Sequence, residues 1–304
     1  MEAVIVRACG FLFIIAFGFF TKRVGIFRAA DKEVITKLIM KVTLPMALAG
    51  NFRSLEWSMT YALAFAIGAM ANILVVVAVL MIFRNKAAEE KTFLIINGAG
   101  YNIGLCTIPF LQSFFDGDAL AMVCLFDAGN AVMAFGVILA VATMISQNQK
   151  KFSMKAGGKI LLHSVPFMTY MIMISLTLLH ITLPDALFDT MDLISAANPF
   201  LAMFLIGILF EPKVPRNIIK DMGRVVIIRF VAATIFIFIV FQMPVSLVFK
   251  HVISLALVSP ILSIAPIFTK QCGGNDSAAA VLNSLMLPVC MVVMTILLGI
   301  FQVA

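Results

Sequence analysis

The sequence predicts an all-α polytopic membrane protein of ten transmembrane helices arranged as two inverted five-helix repeats, and three observations carry that reading. Hydrophobic residues make up 62% of the 304 and charged residues only 12%, with a mean hydropathy of +1.10, so the chain uses lipid as its solvent. The apolar residues fall into ten runs joined by short loops, with no stretch that fits a soluble domain. Two of those runs, the fourth and the ninth, are interrupted at the same depth by residues that a membrane helix ordinarily avoids.

In order, the runs are about 3–20, 34–52, 58–83, 91–113 and 119–145, then 158–181, 190–210, 224–243, 247–269 and 277–302, each near the ~20 residues that cross a bilayer. The first has no basic segment before it and ends in Thr21, Lys22 and Arg23, so it is expected to remain as a span and not to be cleaved as a signal peptide. The domains expected are an N-terminal repeat, 1–145, a cytoplasmic linker, 146–158, and a C-terminal repeat, 159–304.

Basic residues orient the chain. With the N-terminus outside, the inner segments hold 19 of the 22 Lys and Arg, among them Lys22, Arg23, Lys86, Lys150, Lys151, Lys213, Arg216 and Arg229; Arg7, Arg53 and Lys250 are left outside. That bias places both termini outside. The net charge of +7 is therefore an orientation signal, and no folded basic patch exists to bind nucleic acid. Five spans per half force the second half to enter from the opposite side. Pro45 and Pro199 mark the second and seventh runs, Pro109 and Pro266 follow 64 and 67 residues later, and Gly117 and Gly274 each come eight residues after those.

The interruptions are the candidate site. The fourth run is 23 residues long and centred on Asn102, within N-G-A-G-Y-N-I-G-L-C-T-I-P. Gly98, Gly100 and Gly104 weaken the helical ladder and Pro109 removes a donor. The ninth run carries S-P-I-L-S-I-A-P, with Ser259, Pro260, Ser263 and Pro266. Unpaired backbone in hydrocarbon survives only where it lines a cavity or meets another broken segment, and two interrupted helices in corresponding halves point to a transporter's binding site. Single Pro or Gly residues more often only kink a membrane helix; the matched pair argues for the site.

These residues resemble the auxin efflux carrier family. The resemblance rests on K-R-V-G-I-F, I-T-K-L-I-M-K-V-T-L-P-M-A-L, N-I-G-L-C-T-I-P, F-D-A-G-N, S-P-I-L-S-I-A-P and N-D-S-A-A-A-V-L-N-S, which span nearly the whole chain and look like its bacterial, malate-permease-like branch. It implies that helices four and nine cross at the midplane and that the chain lies in the bacterial inner membrane. The implied function is secondary active transport of a small organic anion such as malate, malonate or an auxin-like acid. Unlike the plant carriers, the chain has no long loop between its halves.

An anion is also expected from electrostatics. Each second half-helix would begin near the midplane, at about Gly104 and about Ile261, with unpaired N–H groups worth ~+0.5 of a charge. Together they would make a carboxylate site with no buried Lys or Arg. Asn102, Gly104, Asn130, Ser259 and Ser263 are the candidate substrate ligands, and Pro109, Pro260 and Pro266 the residues that hold the crossing open. The alternative role for Asn102 is an interhelical hydrogen bond worth ~0.6 kcal/mol. Asp127 is the one acidic residue placed at membrane depth, ~12 Å in from Ala119 at ~1.5 Å per residue. It is either the coupling-ion site, for a proton or sodium, or a structural carboxyl bonded to a neighbouring helix. Asn283 and Ser284 occupy the related neighbourhood of the tenth run and are weaker candidates.

No nucleophile, H-E-x-x-H or G-x-S-x-G motif supports an enzyme, and the five scattered cysteines suggest neither disulfides, metal nor another cofactor. An anion channel or membrane receptor using the same broken helices is the alternative function. The partners expected are the organic anion, the lipid bilayer and a coupling ion, with a homodimer as a further assembly to test.

Overall fold

The computed structural model describes residues 2–28, 31–53, 57–146, 154–211 and 218–302. Among them secondary structure is helical throughout, with one isolated antiparallel bridge. Helix α1 (Glu2–Val24) is followed by α2 (Lys32–Leu38), a π-helical stretch Ile39–Thr43 and α3 (Leu44–Gly50), then α4 (Met59–Ile82). Helix α5 (Ala88–Gly98) stops at its glycine; the chain becomes helical again as a π stretch, Ile103–Thr107, and α6 (Ile108–Leu111). Helix α7 (Gly117–Val132) continues through a π stretch, Met133–Ile138, into α8 (Leu139–Ile145). The later chain folds as α9 (Met154–His163), α10 (Val165–Leu178), α11 (Asp185–Ser195), α12 (Asn198–Leu209), α13 (Ile219–Gln242), α14 (Leu247–Leu257), α15 (Ala265–Gln271) and α16 (Asp276–Ile300).

Five helical segments are long and apolar enough to cross a membrane: Met59–Ile82, Gly117–Ile145, Asp185–Leu209, Ile219–Gln242 and Asp276–Ile300. Helix α4 buries Ala64, Gly68, Ala71, Asn72 and Val75 while leaving Met70, Ile73, Val77 and Met81 exposed, which is an apolar outer face for lipid. Pro266 opens α15 after non-helical backbone, where its missing N–H costs nothing; Pro199 stands at the start of α12, while Pro45 in α3 and Pro109 in α6 each follow directly on a π-helical stretch. Helices α4 and α7 meet backbone to backbone. A Cβ on Gly129 would stand 2.1 Å from the Phe65 carbonyl oxygen, and one on Gly68 2.2 Å from that of Phe126, so only glycine permits the approach.

Two expectations are corrected here. The second half of the ninth run begins at Ala265, not Ile261, because residues 258–264 stay non-helical and pair with the other break. Arg229 is not an inner-face charge: it lies ten residues into α13, ~15 Å along the helix, and is only 5% exposed. The site therefore does contain a buried arginine. Lys150 and Lys151 of the linker, and Lys213 and Arg216 after α12, lie outside the described residues.

Candidate substrate site at the helix crossing

The two breaks form one structure. Gly98 ends α5, and Gly100 takes φ +81°, a left-handed conformation that glycine adopts without strain; a Cβ there would press on Leu262 at 3.1 Å. The chain then extends, so that Tyr101 pairs antiparallel with Ile261 and the Asn102 N–H donates to the Pro260 carbonyl at 3.0 Å. Thr107 and Ser259 join the same two segments through their hydroxyls, 2.5 Å apart.

Helix-breaking backbone inside a membrane protein must find partners, and here side chains supply them. Asn72 of α4 accepts the Gly100 N–H at 2.6 Å. Asn130 of α7 accepts the Tyr101 N–H at 3.0 Å and donates to the Tyr101 carbonyl at 2.9 Å. Asn283 of α16 donates to the Leu262 carbonyl at 3.0 Å. Arg229 of α13 serves both breaks: Nη1 donates to the carbonyls of Gly98 and Gly100 at 2.9 and 2.7 Å, and Nη2 to those of Ser259 and Pro260 at 2.7 and 3.0 Å. Its guanidinium lies 4.9 Å from the Tyr101 ring centroid, within cation–π range.

A cavity of about 600 Å³ reaches from this crossing to the ends of α1, α2 and α12. Asn102, Ser263, Pro266, Asn283 and Ser284 line it at the crossing, and Lys22, Lys32, Glu33, Lys37 and Glu211 line it at the other end. The residues singled out in the sequence separate into two groups. Asn102, Ser263 and Pro266 share the cavity; the Asn102 side chain, on a residue only 6% exposed, makes no hydrogen bond to any described residue. Gly104, Ser259, Asn130, Asp127, Pro109 and Pro260 do not line it. Asn130 spends its amide on Tyr101, Asn72 and Asp127.

Asp127 is held by two donors. The Asn130 amide donates to Oδ1 at 3.0 Å and the Tyr170 hydroxyl of α10 to Oδ2 at 2.8 Å. Gly104 stands beside it, since a Cβ there would lie 3.7 Å from Oδ2.

Sequence reasoning missed Asn72, Tyr170 and the position of Arg229. Arg229 was legible in part: I-I-R-F-V-A-A is an arginine inside an apolar run, and such a residue is a functional candidate by default. Asn72 has a comparable signal, a lone amide in the middle of the third run. Nothing local marks Tyr170.

None of the curated proteins compared matches the chain. Residues 4–163, just over half of it, match a family model described as membrane transport protein. With that match, and with apolar helices long enough to span a bilayer, the chain belongs to the auxin efflux carrier family of membrane transport proteins.

Proposed function

We propose that this transporter is a secondary active carrier of a small organic anion, working by alternating access, and that it belongs to the malate-permease-like branch of its family. The observation that supports this reading is the Asn102 amide, without a hydrogen-bond partner among the described residues, on the cavity at the meeting of two broken helices. Ser263 lines the same cavity, and at its other end Lys22, Lys32 and Lys37 outnumber Glu33 and Glu211 by one, which leaves that mouth net positive for an approaching carboxylate. The residues that touch substrate are then Asn102 and Ser263, while Gly104, Ser259, Asn130, Pro109 and Pro260 shape the crossing behind them. Asp127 is the proposed proton carrier.

The proposed topology is ten membrane passes in two inverted repeats, 1–145 and 159–304, with both termini outside the bacterial inner membrane. Its support is that ion pairs join residues assigned to the same side. Lys22 meets Glu211 at 3.0 Å and Arg224 contacts Glu90, all assigned inside; Arg53 contacts Asp189 and Asp192, all assigned outside. The repeat is supported by Asn130 and Asn283, one late in each half, each donating to a carbonyl of its own half's break.

Proteoliposome uptake of labelled malate, malonate and indole-3-acetate tests the reading. Saturable uptake with counterflow is expected, and Asn102→Ala should abolish or strongly weaken it without loss of folded protein. Non-saturable flux without counterflow would make the protein a channel; ligand binding without flux would make it a receptor. Wild-type uptake by Asn102→Ala would reduce Asn102 to packing.

A further inference from the structure

We propose that Arg229 is the resident cation of the crossing: a positioning residue that fills the place an inorganic coupling cation would take between the two helix ends, and that supplies the fixed positive charge facing the transported anion. The first part stands on geometry alone; the second rests on the anion-carrier reading above.

Helices α5 and α14 both end at the crossing, and each carboxyl end carries ~−0.5 of a charge on its unpaired carbonyls. Such ends are where broken-helix transporters hold sodium, by unwound carbonyl oxygens. In this chain those oxygens are taken. The carbonyls of Gly98 and Gly100 from one break, and of Ser259 and Pro260 from the other, all accept from Arg229 within 3.0 Å. The fork of the guanidinium divides between them, Nη1 serving the first break and Nη2 the second. A planar group with five fixed donors can do this, whereas an ammonium has three donors on one atom. Arg229 therefore ties the two breaks to each other as well as satisfying them.

The charge is offset by the carbonyls of the two helix ends and not by a carboxylate. Among the described residues no carboxylate comes within 4.0 Å of Arg229. A buried cation with no acidic partner is costly unless something anionic completes it. The Pro260 carbonyl that receives Nη2 also receives the Asn102 N–H, so one carbonyl separates the guanidinium from the residue that faces the cavity. The anion would then approach, beside the Asn102 amide, a guanidinium whose charge is offset only by carbonyl dipoles.

Thermal unfolding of the purified full chain in sodium, potassium and choline chloride, at one pH and ionic strength, tests the first part without any substrate. The wild type should melt alike in all three. Arg229→Ala should melt several degrees lower and be restored by millimolar guanidinium, which leaves the wild type unchanged. In proteoliposomes the same variant should lose about tenfold or more of its malate uptake, ~1.4 kcal/mol or more, and regain it with guanidinium. Sodium-specific stabilisation of the wild type, or wild-type uptake that needs sodium, would overturn the proposal, as would Arg229→Ala with wild-type melting and uptake. If Arg229→Ala yields no folded protein, Arg229→Lys takes its place: a single ammonium should leave one break unheld and lower both readouts, and a Lys variant equal to the wild type would refute the forked clamp. If the wild type carries no carboxylate at all, the transport reading falls while the melting series still judges the cation place.

Discussion

Asn130→Ala is the sharpest probe of how the break is held. The Asn130 amide makes both of its bonds to Tyr101 with backbone groups, accepting the N–H at 3.0 Å and donating to the carbonyl at 2.9 Å. Alanine leaves both without that partner in a region closed to water. A buried backbone group stripped of its partner costs ~1–3 kcal/mol, giving roughly 2–6 kcal/mol for two. Hydrogen bonds inside membrane proteins average ~0.6 kcal/mol and reach ~1.7, which bounds the same pair at roughly 1–3 kcal/mol. The ranges overlap at ~2–3 kcal/mol, or about 5 °C of melting temperature on the scaling for large domains. Asn72→Ala provides the internal comparison. Its side-chain oxygen accepts one backbone group of the break, the Gly100 N–H at 2.6 Å, so it should cost about half as much. Melting of the three proteins in one detergent, followed by tryptophan fluorescence or light scattering, gives the order wild type, Asn72→Ala, Asn130→Ala. An Asn130→Ala protein that melts with the wild type, or above Asn72→Ala, would refute the idea that these amides splint the broken helix.

The remaining predictions concern coupling and packing. Asp127→Asn preserves the size of the side chain and an oxygen for the Tyr170 hydroxyl, so it should fold; uptake that no longer follows a pH gradient is expected if Asp127 carries the proton, and an unchanged pH response would make the carboxylate structural. Gly129→Leu should give little or no folded protein by detergent size-exclusion chromatography, because its Cβ would collide with the Phe65 carbonyl at 2.1 Å. Gly136→Ala, with nothing within 4 Å of the added carbon, should behave as the wild type in the same assay. Equal yields would show that α4 and α7 can part without cost.

The membrane environment, the helical segments and the location of both interruptions were legible in the sequence, because each is a local property. Hydropathy is summed along the chain, and Gly98, Gly100, Pro260 and Pro266 act on the backbone where they stand. The start of the half-helix at Ile103 came within a residue of its expected place for that reason. Residues 258–264 did not, since their extended form depends on a partner more than 150 residues away, with Tyr101 pairing with Ile261. The roles of the polar residues were decided only by tertiary structure. Asn102 and Asn130 have the same side chain and similar apolar settings, yet Asn102 turns to a cavity and Asn130 is consumed by Tyr101, Asn72 and Asp127. Arg229 was assigned by its distance from a loop to the inner face, and the fold instead drew it inward, because four carbonyl oxygens from two separate breaks converge where α13 passes. No linear pattern encodes that convergence; it exists only once both broken helices have met.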